Sequence, residues 1–241
     1  MTHCTVKNSL ATFAVAALCA VPFAASADII TFDIGTGNTA LSGFTGPYQS
    51  VTVDLTSATE AMITFNALSN GTNLYRMGGA QAVDVNVDAT SFTVGTISGS
   101  GTAGGFVPGT APASQQPYTA GSGNVSAFGT FNLTIDSFDG YTHSATQISF
   151  DLTNTSGTWA SAADVLIANA LGNLAAAHSF VCSTTSTSPQ CSATASALVT
   201  GFASGDGGGG GGGGGGDVPE PGTLALLGAA LVGFGAMRRK H

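Results

Sequence analysis

The sequence predicts a mainly β protein whose central part, residues 28–204, forms a single jelly-roll-like β-sandwich. Three observations lead to this prediction. Apolar and polar residues alternate with a period of two in short segments such as Val51–Leu55 and Ile148–Leu152, which places one face of each strand in a core and the other in water. Turns rich in Gly, Asn and Ser separate these segments. No helical periodicity is sustained for more than about two turns.

The predicted strands follow one another through the whole of this central part. A stretch rich in Gly, Pro and Ser, Gly99–Gly123, predicts a long surface loop between two halves of the sandwich. Ser161–Leu171 is the best helix candidate, although a strand over Asp164–Ala168 competes with it. A barrel or a β-solenoid is less well supported, because the sequence has no repeat of fixed period. The predicted strands are Ile29–Ile34, Val51–Leu55, Ala61–Asn66, Val83–Asp88, Ser91–Ile97, Ala127–Ile135, Ile148–Leu152 and Ala177–Cys182.

Residues 1–27 have the organisation of a secretory signal peptide. A positively charged start precedes the apolar run Leu10–Phe23, and small residues at positions 25–27 provide a cleavage site. Cleavage between Ala27 and Asp28 would make Asp28 the first residue of the mature chain. The alternative is an N-terminal anchor that is not cleaved.

Residues 205–217 are predicted to form a linker. The run Gly207–Gly216 has no side chains that could pack in a core. Gly-rich chains behave as random coils, so this run would reach roughly 17 Å on average. The linker would separate the folded domain from the C-terminal segment and keep that segment accessible to an enzyme.

The C-terminal segment, residues 218–241, has three parts in a fixed order. Pro219-Glu220-Pro221 comes first, and its prolines favour an extended backbone. The uncharged run Gly222–Met237 would span roughly 24 Å as a helix, against a hydrocarbon core of about 30 Å. Arg238-Arg239-Lys240 comes last and predicts a cytoplasmic C-terminus by the positive-inside rule. We therefore predict a single transmembrane helix over residues 222–237.

This order of parts resembles the PEP-CTERM sorting signal of Gram-negative bacteria. The resemblance covers about a tenth of the chain, and the extra His241 after the basic cluster is its one departure. It implies that an exosortase, a membrane-embedded cysteine protease or transpeptidase, recognises Pro219, Glu220 and Pro221, with Arg238 and Arg239 as the basic stop. It also implies transient anchoring in the inner membrane, followed by release to the cell surface or the extracellular matrix. An ordinary C-terminal anchor with a chance Pro-Glu-Pro is the alternative.

Residues 28–204 are acidic and almost free of positive charge. Arg76 is the only Lys or Arg there, against ten Asp and Glu residues. Charged residues make up 7% of the whole chain, far below the usual share of about a quarter. Such a surface repels phosphate backbones, which argues against nucleic acid as a partner. It fits a neutral or carbohydrate-rich environment.

The mature chain would keep two of the four cysteines, Cys182 and Cys191. Two cysteines joined by a short Ser/Thr/Pro-rich loop in an exported domain suggest a local disulfide. Closing so small a loop would contribute about 2–3 kcal/mol. The alternative is a metal pair of Cys182 with His178, although no second ligand pair is evident in the sequence.

No nucleophile elbow, zinc-protease motif or phosphate-binding loop occurs in the sequence. Asp136 and Asp139 lie close enough in sequence for the paired carboxylates of a hydrolase, but Asp139-Gly140 fits a turn better. Calcium is a further hypothesis, with Asp136 and Asp139, and also Asp84 and Asp88, as candidate ligands.

Trp159 is the only tryptophan. It fits a packed position in the core better than a surface platform for a sugar ring.

These features predict an exported protein without catalytic activity or cofactor, with a structural or adhesive role in an exopolysaccharide or biofilm setting. The first alternative is a carbohydrate- or calcium-binding module, and the second is a secreted hydrolase. The expected partners are an exosortase, the membrane before processing, and exopolysaccharide.

Overall fold

A computed structural model describes residues 28–71, 73–101, 106–109, 116–183 and 197–207. These residues fall within one compact unit, Ala25–Asp217. They form a 13-stranded antiparallel arrangement with three short 3-10 helices, and the described part of the chain contains no α-helix. The prediction of a mainly β protein is therefore confirmed.

Five of the eight predicted strands lie inside slightly longer observed strands. The 3-10 helices are Thr39–Leu41, Tyr141–His143 and Ala162–Asp164. In chain order the strands are β1 (Asp28–Ile34), β2 (Thr36–Gly37), β3 (Gln49–Ser57), β4 (Glu60–Ala67), β5 (Ser69–Asn70), β6 (Asn73–Met77), β7 (Val83–Val85), β8 (Phe92–Gly101), β9 (Tyr118–Val125), β10 (Gly129–Ile135), β11 (Ala145–Asn154), β12 (Ala175–Ser183) and β13 (Val199–Gly205).

The strands form one continuous sheet with the order β1-β3-β4-β11-β6-β12-β7-β10-β9. Strand β8 adds to β11, and β13 pairs with both β12 and the short β2. The connection between the two halves is narrow, because β6 meets β11 only through the pair Ala145–Met77. On its other side β6 pairs with β12 over five residues, from Met77 to Asn73.

The two halves of the sheet enclose one hydrophobic core. Alternate residues of β3 and β11, such as Val53 and Phe150, belong to the same buried cluster as Val85 of β7 and Leu133 of β10. A buried pair of hydrogen bonds also crosses the core, since Gln49 of β3 exchanges bonds of 2.9 and 3.2 Å with Ser179 of β12. This packing of two faces is that of a sandwich built from a single folded sheet. The finer jelly-roll assignment stays a prediction.

The predicted loop Gly99–Gly123 is wrong at both ends. Strand β8 continues to Gly101, and β9 begins at Tyr118. Glycine and serine suit these positions because the strands present hydroxyls to water, as where Ser98 Oγ lies 2.9 Å from Ser149 Oγ. A composition typical of loops therefore belongs here to strands with little side-chain burial.

Two further segments differ from expectation. Ser161–Leu171 forms neither a helix nor a strand but a 3-10 turn, Ala162–Asp164, followed by an isolated bridge between Leu166 and Val87. The predicted strand Ala127–Ile135 begins two residues late because Ala127 adopts a left-handed backbone (φ 74°) in the β9–β10 turn.

No helix in the described ranges is long and apolar enough to cross a membrane. The predicted signal peptide, most of the linker and the predicted transmembrane helix over residues 222–237 lie outside those ranges.

Candidate functional sites

The sorting residues Pro219, Glu220, Pro221, Arg238 and Arg239 lie outside the described residues.

At the other end, Ala27 also lies outside them, whereas Asp28 is the first residue of β1 and pairs with Leu55. The Asp28 Oδ2 accepts a hydrogen bond of 2.6 Å from the Ala162 N–H. Asp28 is therefore part of the sheet.

Cys182 lies near the end of β12, fully buried beside Tyr141 and Phe180. Cys191 lies outside the described residues, so the disulfide between them stays a prediction.

His178 is engaged with the protein rather than presented to a ligand. Its Nδ1 lies 3.2 Å from the Ala80 carbonyl oxygen and its Nε2 lies 2.7 Å from Thr200 Oγ1. Its ring stacks on Phe202 with a centroid distance of 4.5 Å. Burial lowers the pKa of His178. Across the described part of the chain, no group of three or more His, Cys, Asp or Glu is placed to hold a metal ion.

Asp136 and Asp139, the candidates for calcium or catalysis, have different surroundings. Asp136 is buried just after β10, and its Oδ1 accepts a 3.0 Å hydrogen bond from the Gln81 N–H. Asp139 has a left-handed backbone (φ 58°), and its side chain is 54% exposed. Its Oδ2 lies 3.6 Å from His143 Nδ1. Calcium binding at these residues stays a prediction.

Asp136 interacts electrostatically with Asp84. The sequence did not predict these two residues as a pair. Asp84 is fully buried on β7, and its Oδ1 accepts a 2.7 Å hydrogen bond from Thr134 Oγ1. No described residue donates a hydrogen bond to its Oδ2. Burial raises the pKa of Asp84 to about 8, and the nearby Asp136 charge adds to this rise. Because Asp84 is 1% exposed, a substrate cannot reach it.

Trp159 packs in the core, as the sequence favoured. It is 3% exposed, and its Nε1–H donates a 2.7 Å hydrogen bond to the Asp88 carbonyl oxygen. The alternative of a surface platform for a sugar is wrong, because the ring face is covered by protein.

Arg76 lines a cleft of about 410 Å³ at the edge where β6 passes β11. Leu68, Ser69, Leu74 and Thr146 contribute to the other walls. The Arg76 Nε is buried and has no hydrogen-bond acceptor among the described residues. In the sequence, Arg76 is distinguished only as the single Lys or Arg of residues 28–204.

The described fold and composition define a cation-poor, acidic antiparallel β domain. A family model, the PEP-CTERM protein-sorting motif, matches residues 217–240. The chain therefore carries a PEP-CTERM sorting motif at its C-terminal end, which confirms the resemblance. The motif implies processing by an exosortase and export toward the cell surface. The search of curated proteins and the search of solved structures gave no match.

Proposed function

We propose that this protein is a non-catalytic component of the cell surface or of the extracellular polysaccharide matrix, delivered there by its sorting tail. The observation that carries the proposal is the PEP-CTERM motif at residues 217–240. The acidic β domain, with one cation and many hydroxyl side chains, suits a hydrated carbohydrate environment. Its role there is structural or adhesive.

The proposed route has three steps. Residues 1–27 direct export and are removed at Ala27–Asp28. Residues 222–237 then hold the chain in the inner membrane, with Arg238 and Arg239 on the cytoplasmic side. The exosortase acts near Pro219–Pro221, which the run Gly207–Gly216 keeps clear of the folded domain.

A hydrolase is the less favoured candidate. Burial raises the pKa of Asp84 to about 8, but the same burial leaves this carboxyl without access to solvent. Its partner Asp136 has one carboxylate oxygen committed to the Gln81 N–H. The pair therefore supports a role in folding better than a role in acid–base chemistry.

The test is the intact mass of the protein from its own host, with and without the host's exosortase. We expect a wild-type chain that starts at Asp28 and ends near Pro219–Pro221, whereas the host without the enzyme retains the chain to His241. The variant Glu220→Gln should also retain the tail. Asp217→Asn removes a neighbouring carboxylate outside the Pro-Glu-Pro sequence and serves as its matched control. A full-length tail in both hosts would refute the proposal.

A further inference from the structure

Strand β8 has an edge that no described strand pairs with. The strand runs for ten residues, Phe92–Gly101, and its one neighbour among the described strands is β11. Residues 106–109 do not extend this edge, because the Val107 carbonyl oxygen accepts a 2.7 Å hydrogen bond from the Phe138 N–H, in the segment after β10. The unpaired edge of a strand presents backbone N–H and C=O groups to which a further strand can bind.

The other edges of the sheet are charged or already engaged. Strand β1 carries two aspartates, and charged side chains on an edge discourage pairing. Strand β13 is covered at its end by β2, and the Phe202 carbonyl oxygen accepts a 2.8 Å hydrogen bond from the Asn38 N–H. In β9 the Asn124 carbonyl oxygen accepts a 2.9 Å hydrogen bond from Gln81 Nε2. Strand β8, in contrast, has neither a charged residue nor a proline.

The hydrophobic core is incompletely covered beneath β8. Phe92, Val94 and Ile97 pack against the main cluster but stay partly exposed. In the same cross-strand row as Ile97, Phe150 of β11 is 1% exposed and Ile63 of β4 is 0% exposed. A strand added beside β8 would cover the apolar surface that remains, and this burial favours association.

The charge of the domain indicates which partner this edge fits. Residues 28–204 carry ten acidic residues and Arg76 as their only Lys or Arg, so two copies repel each other where their carboxylates meet. The exposed side chains of β8, among them Thr93, Ser98 and Ser100, are small and uncharged. A basic partner finds no carboxylate on this strand, whereas an identical edge meets no repulsion. The edge therefore fits a second copy of the chain better than a basic protein.

We propose that the unpaired edge of β8 binds the same edge of a second copy, antiparallel about a two-fold axis. Such an axis, perpendicular to the sheet, brings N–H groups opposite C=O groups and keeps the inner faces of both sheets on one side. The half β1-β3-β4-β11-β8 of each copy then joins in one sheet across the dimer. The pairing depends on the folded domain and not on the sorting tail.

The dimer should be weak, because the regular part of the edge is short. Strand β8 has one extra residue opposite Phe150–Leu152, so its regular pairing with β11 runs over Ile97–Ser100. A bulge of this kind bends a strand. The interface thus belongs with the small, transient contacts, and we expect a dissociation constant between about 10 μM and 1 mM.

The test combines sedimentation equilibrium with hydrogen exchange on the exported protein, purified from its host. Between about 10 μM and 1 mM we expect a monomer–dimer equilibrium. The amides of β8 should exchange more slowly at the high concentration, because pairing protects those that β11 leaves unbonded. Peptides from β1, at the opposite edge, should exchange equally at both concentrations. These measurements use the wild-type protein and do not depend on the folding of a variant.

The variant is Ser98→Glu, which places a carboxylate on the paired edge in both copies. We expect the dissociation constant to rise by about fivefold to thirtyfold, because like charges on adjacent strands destabilise their pairing. The matched control is Thr31→Glu. Thr31 is also exposed and lies on β1, at the other end of the cross-strand row that contains Ser98. It changes the net charge equally and should alter the dissociation constant by less than about twofold.

A chain that stays monomeric at the high concentration would overturn the proposed pairing, and so would a dimer in which exchange from β8 is unchanged. Equal weakening by Ser98→Glu and Thr31→Glu would do the same. Oligomers that grow without limit would contradict a closed two-fold contact. Correctly processed protein that does not dimerise refutes this pairing alone. A retained tail refutes the proposed sorting alone, and association through such a tail would leave β8 unprotected.

Discussion

Asp84 illustrates how neighbours decide the state of a single residue. The alternation Val83-Asp84-Val85 predicts an exposed carboxylate, yet all three residues are buried. Strands β10 and β12 flank Asp84 on both sides, pairing it with Thr134 and Ala176. Gly123 of β9 lies against Thr134, where a side chain would collide with the Thr134 hydroxyl. The sequence did not predict the burial of Asp84, because the strands that cover it are distant from it along the chain.

We predict that Asp84→Asn reduces the loss of stability that occurs as the pH rises from 3.8 to about 8. The pKa of Asp84 rises from 3.8 unfolded to about 8 folded. Between these two pH values the folded state therefore binds more protons than the unfolded state. The free energy of unfolding then falls as the pH rises, by up to about 1.4 kcal/mol per pH unit. Asparagine keeps an acceptor for Thr134 and removes this dependence.

The measurement is urea unfolding from about pH 5 to pH 8. The difference in free energy of unfolding between Asp84→Asn and wild type should grow with pH in favour of the variant. Asp151→Asn, at an exposed position on β11, is the control and should follow the wild type. Parallel curves for wild type and Asp84→Asn would contradict the raised pKa.

At the scale of elements, predictability followed side-chain burial. Strands β3, β4 and β11 alternate between large buried residues and polar exposed ones, so their period was evident. Strand β13 was missed because its covered face carries Gly201, Ala203 and Gly205, which give no hydrophobic signal. Strand β6 was missed because Leu74 and Arg76, which share one face of the strand, are an apolar and a charged residue and so interrupt the alternation.

The segment after β11 contains Trp159, which packs in the hydrophobic core. We predict that Trp159→Ala destabilises the protein by about 3–5 kcal/mol, because it leaves a cavity in the core. Trp159→Phe should cost less, since it retains most of the packing and loses the hydrogen bond to Asp88. Unfolding followed by circular dichroism measures both. Wild-type tryptophan fluorescence that acrylamide quenches equally in the folded and unfolded protein would contradict the burial.

Cys182 lies near the end of β12 and precedes Cys191 in the sequence. We predict a disulfide between Cys182 and Cys191, so alkylation of the unfolded, unreduced protein should add no label. Cys191→Ser should lower the free energy of unfolding by about 2–3 kcal/mol, because the closed loop is lost. Labelling of both cysteines without a reductant would refute the disulfide. We choose Cys191 for the substitution because Cys182 is fully buried, and its replacement would also change the packing around its sulfur.

At the scale of the whole molecule, the sequence predicted the class of fold and the sorting tail but not the cleft. The strand class follows from local alternation, and the tail is a linear signal that needs no folding to be read. The Arg76 cleft depends on β6 passing β11, whose contact joins residues distant in the chain, Met77 and Ala145. Short-range patterns in the sequence do not predict such a long-range contact.

The scarcity of positive charge has a consequence for the resistance of the domain to proteases. Trypsin-like proteases cut after Lys or Arg, and between Asp28 and Asp217 only Arg76 offers such a bond. That residue lies within β6, paired on its flank with β12, where the backbone is held away from a protease cleft. A protease must therefore wait for local opening of the sheet. Proteases that recognise basic residues should therefore cleave the folded domain very slowly.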